Sequence, residues 1–256
     1  MRRTLLAAVL AAVTSTPISI ISIISIISIA MVGTGCKPHG GNLNNPNFAE
    51  ARSALEIHER LEGLIDQEKD SKQDREDAYA LVTKMPGETP TDQFARAAIA
   101  GRLAENRGLQ ALGLVTEAED YARRCRAVEP DLREGAATRL LGTLYVLAPA
   151  NLVKHGDSET GLELLEQEAQ AHPERLVSRL RLAEAYIALN DPDPSREHLC
   201  VVKQGQDRLT AGDKRLLGRL LKDAGELKCG TATPPPADEP VTPKPAEVTL
   251  APPAPM

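Results

Sequence analysis

Cysteine and histidine carry the widest chemistry in this chain, and their spacing decides what chemistry is open to them. The cysteines are Cys36, Cys125, Cys200 and Cys229, and the histidines are His39, His58, His155, His172 and His198. No two cysteines stand in a C-x-x-C pair and the histidines are scattered, so no metal-ligand spacing is present. His198 and Cys200 lie two residues apart, on different sides of a helix, and would not form a nucleophile–base pair by local geometry. Cys125 and Cys200 read as small apolar packing residues, while a Cys200–Cys229 disulfide stays open in an oxidising compartment. Nor is there a pair of carboxylates at a recognisable pocket, a nucleophile elbow or a phosphate loop. The sequence therefore predicts no enzyme, no cofactor and no metal site.

Cys36 is different because of what precedes it. Met1-Arg2-Arg3 is a short cationic start, and Thr4 to Val32 carries no charge, with isoleucines interrupted by Ser19, Ser22, Ser25 and Ser28 at a period of three. That charge asymmetry is the mark of an export signal. The stretch is also long enough to span a bilayer, which needs roughly 20 apolar residues. The small residues Gly33, Thr34 and Gly35 before Cys36 resemble a bacterial lipobox, although a lipobox usually has Leu where Gly33 stands. The resemblance implies a signal peptide over 1–35, cut before a lipidated Cys36; the alternative is an uncleaved anchor. Two or three acyl chains hold a protein stably where one is marginal. Residues 36–47, rich in Gly, Asn and Pro, then read as a flexible tether. Losing Arg2 and Arg3, the only charges in residues 1–35, takes the formal net charge from −6 to −8. With no basic stretch interleaved with aromatics, a nucleic-acid partner is not expected.

The elements that must position everything else are helices. Aromatics make up 2% of the 256 residues and tryptophan is absent, so the core has to come from Leu, Ala, Val and Ile. The breakers Pro86, Gly87, Gly108, Pro130, Pro149, Pro173, Pro192 and Gly225 divide the chain. They predict helices near 48–70, 72–85, 93–107, 117–129, 132–148, 158–171, 175–190, 194–203 and 211–224. Three capping boxes are expected to start helices: Ser71 with Asp74, Thr116 with Glu119 and Thr210 with Asp213. No stretch alternates with period two, so the fold class is all-α over 48–229.

Short helices between regular breakers suggest repeats. Leu182, Ala183 and Tyr186 are followed by Ser195, Leu199 and Val202 at tetratricopeptide spacing. Leu141, Gly142 and Tyr145 are followed, after an insertion, by Gly161, Leu165 and Pro173. A weaker copy has Leu103-Ala104, then Ala118, Ala122 and Pro130. This predicts a tetratricopeptide-like α-solenoid of antiparallel helix hairpins, in which small residues let paired helices approach and each hairpin buries its apolar face on the next.

The stretch from Glu129 to Cys200 resembles the TatT family, the lipoprotein T component associated with TRAP transporters. The matching positions are Gly135, Leu141, Gly142, Tyr145, Pro149, Gly156, Asp157, Pro173, Leu182, Ala183, Glu184 and Tyr186. The resemblance implies a periplasm-facing lipoprotein that docks a periplasmic TRAP substrate-binding protein and passes a ligand to it. A general tetratricopeptide lipoprotein scaffolding other envelope proteins is the alternative, and a homo-oligomer is left open. Lys37, where some inner-membrane lipoproteins carry Asp, favours the outer membrane. The insertion between Tyr145 and Gly161 offers Lys154, His155 and Asp157 as partner-facing residues, since insertions project from a scaffold. Asp157 has a plainer role as N-cap of the next helix. Tyr145 and Tyr186 are the other candidates for a ligand-facing surface, although both sit at repeat positions where packing is the simpler role. The tail over 230–256 holds nine of the 19 prolines and is expected to be extended and disordered.

Overall fold

The computed structural model describes residues 41–229, and the expectations for Cys36, the leader and the tail lie outside them. The described residues are all-α, with no strand among them. They form α1 (Ala54–Asp66), α2 (Lys72–Val82), α3 (Pro90–Ala104), α4 (Leu112–Val128), α5 (Ala136–Leu147), α6 (Ser158–Ala171), α7 (Leu176–Ala188), α8 (Pro192–Gln204) and α9 (Ala211–Asp223). No helix among them is long and apolar enough to cross a membrane.

Two of the expected caps form. Ser71 and Asp74 make the full reciprocal box at the start of α2, and Thr210 accepts from the Asp213 amide at the start of α9. Thr116 and Glu119 do not cap anything. α4 begins at Leu112, straight out of a 3-10 turn over Gly108–Ala111, which places both residues inside the helix. α3 starts at Pro90, three residues before the expected position, because Thr89 caps the Asp92 amide and proline suits the first turn. α5 starts late, at Ala136, because Arg133, Glu134 and Gly135 all have positive φ.

Residues 42–47, expected to belong to a flexible tether, are ordered in the structure. Residues 42–51 follow α2 in successive turns, with Asn45 N–H bonded to Asn42 O, Phe48 to Asn45 and Ala51 to Phe48. The Asn45 amide donates to Asp74 and Asp77 at 2.9 and 2.7 Å, and Asn47 donates to Asp74 at 2.8 Å. Asparagines that look like linker composition are here the partners of two buried carboxylates, which would otherwise be costly to bury. Phe48 follows them into the core, 2% exposed, among Ile57, Leu61, Ala78, Val82 and Ile99.

α3 packs against α4, α5 against α6 and α7 against α8, and each pair then meets the next odd-numbered helix. Alanine makes these approaches close: Ala95, Ala97, Ala118, Ala122, Ala137 and Ala183 are all fully buried. Between α5 and α6 the closeness is absolute. A Cβ on Gly142 would fall 2.5 Å from the Leu165 side chain, and one on Gly161 would fall 2.8 Å from the Gly142 carbonyl. The small residues of this hairpin do the steric work expected of them. Leu103, Leu141, Leu165, Leu182, Leu199 and Val202 are buried packing residues.

The first and last helices also meet. The Asp66 carboxylate, at the end of α1, accepts from the Gly212 amide in the first turn of α9 at 2.7 Å. Arg215 on α9 donates back to the carbonyls of Ile65 and Asp66 at 2.7 and 2.9 Å. Each helix thus satisfies the free terminal groups of the other, with charges matched to both dipoles.

Cys200 and Cys229 are joined in a disulfide that stitches the chain after α9 back onto α8. With the cysteines 29 positions apart in sequence, breaking the bond is expected to cost roughly 3–4 kcal/mol through loop entropy. Cys229→Ser should lower the urea midpoint accordingly, and a reductant should do the same to the wild type but not to the variant. Cys125 is not expected to exchange with this bond: it is fully buried, and burial pushes its thiol up to about 11, leaving little of the reactive thiolate.

Candidate functional site

The five residues singled out from the sequence fall in two places. Tyr145, Lys154, His155 and Asp157 meet at the insertion, residues 148–157, between α5 and α6. Tyr186 stands elsewhere, in a groove between α6, α7 and α8.

At the insertion the organising group is Glu119, which the sequence suggested only as a cap. It is 0% exposed. Its carboxylate accepts from the Tyr145 hydroxyl at 2.9 Å, the Lys154 amide at 2.9 Å and the His155 amide at 2.7 Å. No Lys or Arg side chain pairs with it among the described residues, so these donors hold the charge. Tyr145 is therefore internal: burial first, and then the Glu119 bond, push its hydroxyl well above the usual tyrosine range. Its ring lies so close beneath the insertion that a Cβ on Gly156 would clash with it. Leu152 pins the other end of the loop against Ala111 and Val115.

The loop is thus held by both its backbone and its core-facing side chains. What it presents outward is Lys154 and His155, both exposed, with His155 Nε2 3.8 Å from the Asp120 carboxylate. Asp157 serves as the N-cap of α6, accepting from the Thr160 amide at 2.8 Å. That bond and the Thr160 hydroxyl hold its carboxyl below the usual range.

The groove has a volume of about 420 Å3 and is lined by Glu166 and Ala169 of α6, Pro173, Arg179, Leu182 and Tyr186 before and along α7, and His198 of α8. Tyr186 and His198 lie nearly parallel, 12° apart, with ring centroids 6.1 Å apart. The Tyr186 hydroxyl donates to Glu166 at 2.6 Å, and burial together with this bond raises its pKa. Arg179 Nε donates to the Pro173 carbonyl at 2.7 Å. Its Nη1 lies 3.3 Å from His198 Nδ1. A guanidinium can only donate, so Nδ1 accepts and the imidazole proton sits on Nε2. Burial first, and Arg179 second, keep His198 below the ordinary histidine range.

Sequence reasoning set His198 aside because it could not pair with Cys200. That geometry holds: Cys200 turns to Cys229 while His198 turns to Tyr186. The partnership of Tyr186 with His198 joins two helices and leaves no local spacing to find. Two flat rings and aliphatic side chains line the groove together with the Arg179 guanidinium and the Glu166 carboxylate.

Other charges of the odd-numbered helices meet in ion pairs. Arg102 grips Glu62 through two nitrogens at 2.7 and 2.8 Å, and Arg181 reaches Glu184 and Asp213 at 2.9 and 3.3 Å. Among the described residues no three His, Cys, Asp or Glu side chains gather closely enough to hold a metal ion.

No protein-family model matches the chain, and no curated protein matches it.

Proposed function

We propose that the protein is a lipid-anchored, periplasm-facing binding component of tetratricopeptide type, resembling the T component of TRAP transporters, that docks a periplasmic substrate-binding protein. The observation that carries this reading is the insertion between α5 and α6. Helix pairs whose shared positions are packing residues form a scaffold, and the one departure from that scaffold is a loop held stiff by Glu119 with Lys154 and His155 outward. A loop ordered from beneath has little freedom left to lose when a partner binds, which favours its use as a contact. The Cys200–Cys229 bond suits an oxidising compartment outside the cytoplasm. In this reading Cys36 carries the lipid, the outer membrane is the anchoring membrane, and no catalytic step is assigned.

The test is capture of the binding protein from a TRAP system of the same cell on the immobilised protein. A complex is expected, weakened by Lys154→Glu together with His155→Asp, because reversing charge at an interface slows association. If no complex forms, the transporter reading is abandoned in favour of a general envelope scaffold. Radiolabelled palmitate should enter the wild type and not Cys36→Ser; equal labelling would remove the lipid anchor.

A further inference from the structure

The odd-numbered helices pack in order, α1 on α3, α3 on α5, α5 on α7 and α7 on α9, and α9 returns to α1. That makes a closed circuit, and its last joint differs from the others in chemistry. α1 and α3 share an apolar cluster through Ile57, Leu61 and Ile99, and α3 and α5 share one through Phe94 and Ala137. α5 and α7 meet through Val146 and Leu182, and α7 and α9 through Leu180, Leu216, Leu217 and Leu220. Among the described residues no buried apolar cluster contains both α1 and α9.

The joint between α1 and α9 is polar instead. The Asp66 carboxylate accepts from the Gly212 amide at 2.7 Å, and Arg215 donates to the carbonyls of Ile65 and Asp66 at 2.7 and 2.9 Å. Arg215 Nε also stands 3.4 Å from the Glu68 carboxylate, which is exposed. The carbonyls belong to the last turn of α1 and the amide to the first turn of α9, where a helix has no partner of its own to offer. When the two ends part, water takes each vacated place and no apolar cluster is split, so parting costs far less than unfolding.

Gly212 is fitted to the joint as well. A Cβ there would fall 2.7 Å from Asp66 Oδ1, so a larger residue forces the carboxylate away from the amide it holds. On its other side α9 is secured, by its apolar face to α7 and α8 and by the Cys200–Cys229 bond that follows it.

We infer that the α1–α9 joint is a latch: the helix circuit opens and closes there while the cores on both sides stay folded, with α9 moving together with α7 and α8. A partner that grips α1 and α9 together favours the closed form, and an anion that takes Arg215 from the α1 carbonyls favours the open one. This inference stands apart from the transporter reading, since it uses neither the insertion nor the lipid.

The test is residue-resolved hydrogen exchange on the full-length protein in detergent, with the Gly212 amide as reporter. Its acceptor is Asp66, across the joint, and at the second position of α9 it has none within the helix. In the wild type this amide is expected to be protected, but at least roughly tenfold less than the Leu217 and Leu220 amides of the α9 core. Its protection should hardly change in urea below the unfolding transition, while theirs falls steeply, because opening the latch exposes little surface.

Arg215→Ala touches neither Gly212 nor the Asp66 carboxylate, yet it should lower Gly212 protection roughly tenfold or more, because the bonds of a latch are lost together. Gly212→Ala should lower protection at the same amide while keeping both charges and favouring the helix. The Leu217 and Leu220 amides should stay protected in both variants, showing that α9 is folded. The inference is overturned if the wild-type Gly212 amide is as slow and as sensitive to urea as Leu217 and Leu220, since the joint would then part only on unfolding. It is also overturned if Arg215→Ala leaves Gly212 protection unchanged, which would reduce the opening to the fraying of one bond. Loss of Leu217 and Leu220 protection in either variant would overturn it too, by making the joint part of the core.

Discussion

Glu119→Ala is expected to lower stability by about 3 kcal/mol and to free the insertion while the helices stay formed. The carboxylate is fully buried and accepts three hydrogen bonds, each of which, being made to an ionised group, is worth about 1.5–3 kcal/mol net. The three are not independent, because the loop that carries two of the donors can swing out to water once it is released. That escape caps the loss well below the simple sum. The Tyr145 hydroxyl has no such escape, since its ring is clamped under Gly156 and its Cβ lies against Gly161.

Glu119→Gln should fall between wild type and Ala, because one acceptor oxygen becomes an NH2 group facing donors. Tyr145→Phe should cost less, about 1.5 kcal/mol, the low end for one bond to an ionised group. Urea unfolding measures the energies, and hydrogen exchange at the Lys154 and His155 amides locates them. Exchange at those two amides should quicken sharply in Glu119→Ala and hardly change in Tyr145→Phe. Unchanged protection in Glu119→Ala would mean that the loop is held by Leu152 and the Tyr145 ring alone. Capture of a binding partner by the loop should then suffer in Glu119→Ala, even though Lys154 and His155 are still present.

The way Glu119 escaped the sequence shows where legibility ends. Thr116-x-x-Glu119 has the spacing of a capping box, and the same spacing at Ser71 and Asp74 does form one. The difference lies upstream, where a 3-10 turn and the packing of Ala111 and Val115 on Leu152 start α4 five residues earlier, at Leu112. Once the helix begins at Leu112, Glu119 faces inward and finds partners on a loop more than 30 residues away. Local signals resolved by a single residue were readable: breakers at Pro173 and Gly225, the cap at Asp157, the small residues Gly142 and Gly161.

What depended on partners distant in sequence was not. Asn45 and Asn47 looked like linker because their hydrogen bonds run to Asp74 and Asp77 on another helix. Tyr186 was readable as a repeat position, but its stacking on His198 requires the α7–α8 hairpin to exist first. The closure of α1 on α9 through Asp66 and Arg215 has no trace in spacing, since it joins the two ends of the described helices.

His58 offers the second large effect, a loss of about 3 kcal/mol as pH falls from 7 to 4. The ring is 7% exposed and packs edge-on to Phe94 at 5.2 Å, and its Nδ1 has no hydrogen-bond partner. Burial, the largest cause, lowers its pKa to about 4. Arg102 and Arg133 lower it further, and Glu62 and Glu59 pull the other way. Above the unfolded value of about 6.5 the ring is neutral in both states and costs nothing. Below it the unfolded chain binds a proton that the folded one refuses, so stability falls by up to about 1.4 kcal/mol per pH unit until the folded pKa is reached.

His198, also lowered, acts in the same sense in the upper part of that window. Glu62 and Asp74, held below their ordinary values, lose their stabilising contribution only at lower pH, below the ordinary carboxylate range. His58→Leu separates these contributions. It is close in volume and removes the orphaned nitrogen, so it should match or exceed the wild type at pH 7. At pH 4.5 it should be the more stable by about 2.5 kcal/mol, because it has no proton to take up. Urea midpoints at the two pH values measure this. Parallel losses in wild type and His58→Leu would show that the acid sensitivity in this window comes from other groups such as His198, and that His58 is protonated inside the fold without penalty.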